Sequence, residues 1–177
     1  NYIPITTTIA GNRTLGIKTI ISNGTGGGNW NDPSTWQGGI IPTIYDIVQI
    51  LANDIVNMNT SGGCIDLTMQ NGGRLNVNSY TFTLYGNLTC NGTGQLNTNC
   101  NSELIIDDYG GKSAVVLPSM VDSIKKLTVN RSTGIISYHN IDLSICVPSD
   151  SIVLVLTKGV IKMMDSTILK LSSIAIQ

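Results

Sequence analysis

Two tryptophans, Trp30 and Trp36, stand six positions apart around an Asp-Pro step in "NWNDPSTW". Indole rings held side by side can stack on the C–H faces of sugar rings, or they can fill a gap in an apolar core. Position argues for the second use. The pair precedes the strand-like run "YDIVQI", in which Val48 and Ile50 alternate onto one side. Asp32 before Pro33, with Ser34 and Thr35 after it, makes a turn that holds the two rings near each other. A plug over the first apolar layer is expected, and a sugar platform at Trp30 and Trp36 is the functional alternative.

Cleavage of a glycosidic bond generally needs two carboxyl groups flanking it. Glu103 is the only glutamate, and "ELIIDDYGG" adds Asp107 and Asp108. Neighbouring strand residues point to opposite faces, so Asp107 and Asp108 share a face only in a turn. There they could bind Ca²⁺ together with backbone carbonyls, which makes them the candidate metal ligands. A lyase would also want a basic group for proton abstraction. The arginines Arg13, Arg74 and Arg131 are scattered, and the last two fall in turn segments where a solvated role is expected. His139, the only histidine, reads as a solvated loop residue in "ISYHNID". There is no HExxH, nucleophile elbow or P-loop, and the glycines of "GTGGGN" lead into a turn and strands rather than into GK[ST] and a helix. No catalytic residue is assigned, and no cofactor is called for.

The 177 residues suit one domain with a real core. A net charge of -1 with 12% charged residues gives no electrostatic argument for nucleic acid or anionic lipid. Asn, Thr, Ser and Gly carry the solubility, a composition frequent outside the cytoplasm. No apolar run is long enough to span a bilayer, so membrane insertion is not expected. The start lacks the pattern of a signal peptide but could be what remains after one is removed. Cys64, Cys90, Cys100 and Cys146 lack zinc-site spacing, and four cysteines allow three full pairings. Cys90 shares a face with Leu88 and is expected to be a buried, unpaired small hydrophobe.

The elements that must position these residues are short strands broken by Gly and Asn. "LTMQNGGRLNV" from Leu67 and "LTCNGTGQLNT" from Leu88 align at an offset of 21, with Leu67 on Leu88 and Met69 on Cys90. "LTVNRSTGIIS" from Leu127 and "LVLTKGVIKM" from Leu154 read as further copies. Such a unit cannot bury its own apolar side but can do so against its neighbours, which argues for a solenoid over the alternative β-sandwich. The expected inward columns are Leu67–Leu88–Leu127 and Met69–Cys90–Val129. Asn71, Asn91 and Asn130 are expected to form turns. The interval of 27 between Leu127 and Leu154 implies a longer loop around "SYHNID".

"NWNDPSTWQGGIIPTIYDIVQI" resembles the opening of G8-like modules: a Trp, Asp-Pro, a second Trp, Gly-Gly, Pro, then Asp-x-Val-x-Ile. "GNLTCNGTGQLNT" and "KKLTVNRSTGIIS" resemble repeats of large surface and adhesin-like proteins of the Bacteroidetes type. The resemblance runs from about Gly26 to Leu171, and it brings no catalytic residues. It implies an all-β, right-handed parallel β-helix, export to the cell surface, and adhesion or glycan contact. Cys90 departs from it, standing where an aliphatic residue would be ordinary. The expected organisation is an N-terminal strand and entry segment over 1–28 and a β-helical domain over 29–177, capped at about 29–50, cut from a longer surface protein. The expected function is a non-enzymatic adhesion module, secreted or at the cell surface, with a polysaccharide or cell-surface component as partner. A carbohydrate-binding module or polysaccharide-active enzyme on the same scaffold is the alternative, discriminated by convergent acidic or basic side chains along a groove. An ice-binding face would need a regular Thr-x-Thr ladder, and only "TFT" at Thr81 to Thr83 resembles one.

Overall fold

Short runs of two to five residues, mostly with alternating apolar positions and many broken by Asn, Gly or Ser, build strands that pair with the next coil rather than with their chain neighbours. The computed structural model describes residues 16–119, 121, 123–146 and 153–171. Every strand pairing among them is parallel, which makes the chain an all-β parallel solenoid and sets aside the sandwich. Of the expected entry segment, residues 1–15 lie outside the described residues.

The first four coils show three faces. Face one holds β1 (Thr19–Ile21), β3 (Ile47–Ile50), β6 (Leu67–Met69) and β9 (Leu88–Cys90). Face two holds β2 (Gly27–Asn29), β4 (Ile55–Asn57), β7 (Arg74–Asn76) and β10 (Gln95–Asn97). Face three starts one coil later with β5 (Gly62–Cys64), then runs unbroken through β8 (Thr81–Leu84), β11 (Glu103–Asp107), β13 (Lys126–Asn130) and β16 (Leu154–Lys158). Faces one and two stop after the fourth coil. Their places in the coil pass to β12 (Val115–Leu117), β14 (Ile135–Ser137) and β17 (Ile161–Met163), and to β15 (Ile141–Asp142) and β18 (Leu169–Lys170).

The core is a set of inward columns at the spacing of paired strands, about 4.8 Å. Val48 pairs with Leu67, and Leu67 with Leu88; Ile50, Met69 and Cys90 follow in the same register. Val56, Leu75 and Leu96 line face two, and Phe82, Leu104, Leu127 and Leu154 line face three. Two expectations therefore need correction. Leu127 and Val129 do not continue the Leu67–Leu88 and Met69–Cys90 columns; they sit on face three, beneath Leu104 and Ile106. The strand–turn–strand pattern recurs, but in "LTVNRSTGIIS" it is used at a different corner of the coil. Because β9 ends its face, Leu88 and Cys90 are half-buried rather than enclosed.

The turns explain the Asn and Gly content. Asn71 Oδ1 accepts from the backbone N–H and the hydroxyl of Thr93 one coil on, at 3.1 and 3.0 Å. Gly72 and Gly92 turn the chain with φ of +76° and +57°, a region that costs other residues steric strain. Asn130 departs from the expected turn role: it lies in β13 and bridges Asp107 and Thr157, at 2.8 and 2.7 Å. On face two, Asn97 donates to Asn76 and Asn76 to Asn57, both at 2.8 Å, an amide ladder along the axis. The interval around "SYHNID" contains β14, a turn and β15, and 147–152 within it lie outside the described residues.

The columns predict unequal tolerance. Leu104 is fully buried between strands on both sides, so Leu104→Ala is expected to lower the unfolding free energy by about 2–5 kcal/mol. Leu88→Ala, at the edge of its face, is expected to cost clearly less. Urea denaturation of the two variants checks the order.

Candidate functional site

The tryptophan segment closes the N-terminal end of face three, where β5 has no strand before it. Trp30 and Trp36 are each 2% exposed, with ring centroids 5.4 Å apart in an edge-to-face arrangement. The indole N–H of Trp36 donates to the Trp30 carbonyl at 2.8 Å, and the Trp30 ring meets Phe82 edge-on at 5.9 Å. Gly62 makes room for it: a Cβ there would stand 3.0 Å from Trp30 Nε1. Asp32 caps the 3-10 turn Pro33–Thr35 by accepting from the Ser34 N–H and hydroxyl, which holds its carboxyl below the usual range. Buried Asp54 fixes the preceding turn by accepting from the Ser22 hydroxyl and from the N–H groups of Gly24 and Gly26. Each indole turns its faces to the core rather than to water, so a stacking platform has no open ring here.

A second cluster lies on the corner between face three and face one. Asp107 accepts from Asn130 Nδ2 and from the Asp108 N–H, both at 2.8 Å and both on Oδ1. Asp108 turns away to accept from the Ser132 hydroxyl at 2.9 Å, and that bond chiefly holds its carboxyl low. The two candidate metal ligands are thus engaged with separate donors. Among the described residues no three His, Cys, Asp or Glu side chains gather as a metal site would require. Glu103 sits elsewhere, paired with Lys125 at 3.0 Å.

Arg131 contradicts the expected solvated role: it is wholly buried. Nη2 donates to the carbonyls of Tyr85 and Gly86 at 2.6 and 2.8 Å, Nη1 to Ser113 at 2.9 Å and Nε to Asp107 at 3.0 Å. Burial pulls its pKa down while Asp108, Asp66 and Asp107 push it back up. The reason for its burial is visible one coil earlier. There the carbonyls of Cys64 and Ile65 accept from the N–H groups of Tyr85 and Gly86. Face one then ends, and the guanidinium supplies the next donors. A turn-segment arginine looks the same in sequence whether solvated or buried, so only the interruption at "DDYGGKS" hinted at it.

His139 is exposed, beside a cavity of about 370 Å³ lined also by Ser123, Asp142, Ile168 and Lys170. Lys170 and Asp142, register partners on β18 and β15, form an ion pair at 3.3 Å on its wall. Cys100 and Cys146 form a disulfide, which links the turn after β10 to the segment after β15. Cys64 and Cys90 are free thiols, both pushed up by burial, Cys64 well up. Among the described residues no helix is long and apolar enough to cross a membrane.

Comparison of the chain with known family models, curated proteins and solved structures gives no match. The fold and the site therefore rest on the chain's own geometry.

The burial of the indoles predicts a large effect on folding. Trp36→Ala should lower stability by on the order of 3–5 kcal/mol, seen as a marked drop in melting temperature. An unchanged melt with lost retention on polysaccharide gels would instead make the pair a sugar platform.

Proposed function

We propose that this chain is a non-enzymatic display and adhesion module of a secreted or cell-surface protein, a rigid solenoid whose corners and loops meet glycans or other surface components. The observation that carries the reading is the unbroken five-strand run of face three, reinforced where the other faces are interrupted by a disulfide and a buried arginine. Such a rod resists bending and keeps its surface loops at fixed spacing, which suits presentation. The Cys100–Cys146 disulfide fits an oxidising compartment. The low charge leaves hydrogen-bonding amides and hydroxyls as the main surface chemistry. The resemblance of "NWNDPSTWQGG" to G8-like openings, and of the repeats to Bacteroidetes-type adhesins, points the same way. Asp107 and Asp108 serve here as acceptors that tie the fifth-coil loop to β13 and the turn after it.

Incubation with a panel of soluble and insoluble polysaccharides tests the reading. The expected result is retention on at least one of them, with no release of reducing ends or of unsaturated sugars. Product release that disappears in Asp107→Asn or Asp108→Asn would replace the adhesion module with a polysaccharide-active enzyme.

A further inference from the structure

With both indoles buried, the aromatic surface left to solvent is carried by tyrosine. Tyr45 is 69% exposed, the most of any large hydrophobic residue described. It stands on the corner between faces three and one at the start of the second coil, two residues before β3. Tyr85, half-buried, occupies the same corner at the start of the fourth coil, three residues before β9. Two coils separate them, about 10 Å along the axis. Burial chiefly pushes the Tyr85 hydroxyl up, with smaller contributions from the nearby Asp107 and Tyr45.

Hydrogen-bonding groups flank the rings. Asp66 accepts from the Asn87 N–H and lies 3.7 Å from the Lys112 ammonium. Among the described residues both donors to Asp107 meet Oδ1, and a carboxylate carries a second acceptor oxygen, Oδ2. The corner carries Asp66, Asp107 and Asp108 against Lys112 and the buried Arg131. An anionic chain would meet an excess of like charge there.

We infer that this corner binds an extended, neutral β-1,4-linked polysaccharide lying along the solenoid axis, with Tyr45 and Tyr85 each stacking on a sugar ring and Asp107 accepting from a hydroxyl. The inference rests on the proposed glycan contact and gives it a surface and a ligand class. A tyrosine face matches the C–H face of a pyranose, and its hydroxyl stays in water. Rings two coils apart meet alternate sugars of an extended chain, which present the same face in turn.

Affinity electrophoresis tests it, in gels containing hydroxyethylcellulose, xylan or galactomannan, with polygalacturonate as the acidic comparison. The protein should be retarded in at least one neutral gel and not in polygalacturonate. Tyr45→Ala should weaken that association at least tenfold with an unchanged melting temperature, Tyr85→Phe should keep most of it, and Tyr138→Ala, exposed on another part of the coil, should bind as the parent does. Retardation in a neutral gel that survives Tyr45→Ala would overturn the corner as the site while leaving glycan contact standing. Retardation in polygalacturonate alone would overturn the ligand class. Absence of retardation in all three neutral gels would overturn the inference, while retention on another polysaccharide of the wider panel would leave glycan contact standing.

Discussion

A parallel solenoid depends on each coil finding hydrogen-bond partners in the next, and among the described residues that rule is broken on two faces after the fourth coil. After the fourth coil, faces one and two end, and the loop 108–114 and the segment 118–125 intervene before pairing resumes. Buried carbonyls left without donors are costly, about 1–3 kcal/mol each. Arg131 resolves this at one corner by offering side-chain N–H groups where backbone N–H groups would have come. Its planar fork reaches four carbonyls at once, from the corner before β9, from the end of β11 and from the loop before β12. The Cys100–Cys146 disulfide spans the interruption at another corner, so the two halves are joined at both places in addition to the continuous face three.

The two ends of a solenoid also need different treatment. At the N-terminal end, Trp30 and Trp36 cover face three where β5 has no strand before it, and Asp54 gathers three donors to fix the turn between β1 and β2. In the last described coil, Leu156 and Val160 are exposed, and Leu154, Ile161 and Leu169 are only half-buried. Stability in such an architecture is a sum of coil and interface contributions. The interrupted interface is the place where that sum is most exposed to a single side chain.

Much of the architecture was legible in the sequence because its signal is periodic. The alignment of Leu67 with Leu88 gave the correct register, and the position of the tryptophans before "YDIVQI" agrees with their burial. The same signal misled at Leu127. Turn chemistry of the Asn-Gly and Arg-Ser-Thr-Gly kind marks a corner without saying which corner, so "LTVNRSTGIIS" looked like face one and is face three. Arg131 and the tyrosine corner were not legible for a related reason. Their roles arise from residues 18 to 46 positions away in the case of Arg131, and 40 positions apart for Tyr45 and Tyr85, brought together only by the coil. The pairing of Cys100 with Cys146 was likewise one of three open pairings.

At the break, the buried Arg131 side chain stands in for a missing backbone ladder and so couples the coils on either side. Native-state hydrogen exchange on Arg131→Met tests it most directly, because methionine fills similar volume without the donors. Amide protection in β12, β14 and β17 is expected to fall sharply, while β3, β4, β6 and β7 keep protection close to that of the parent. Unchanged protection in β12 and β14 would contradict it, for the two halves would then be held together without the guanidinium.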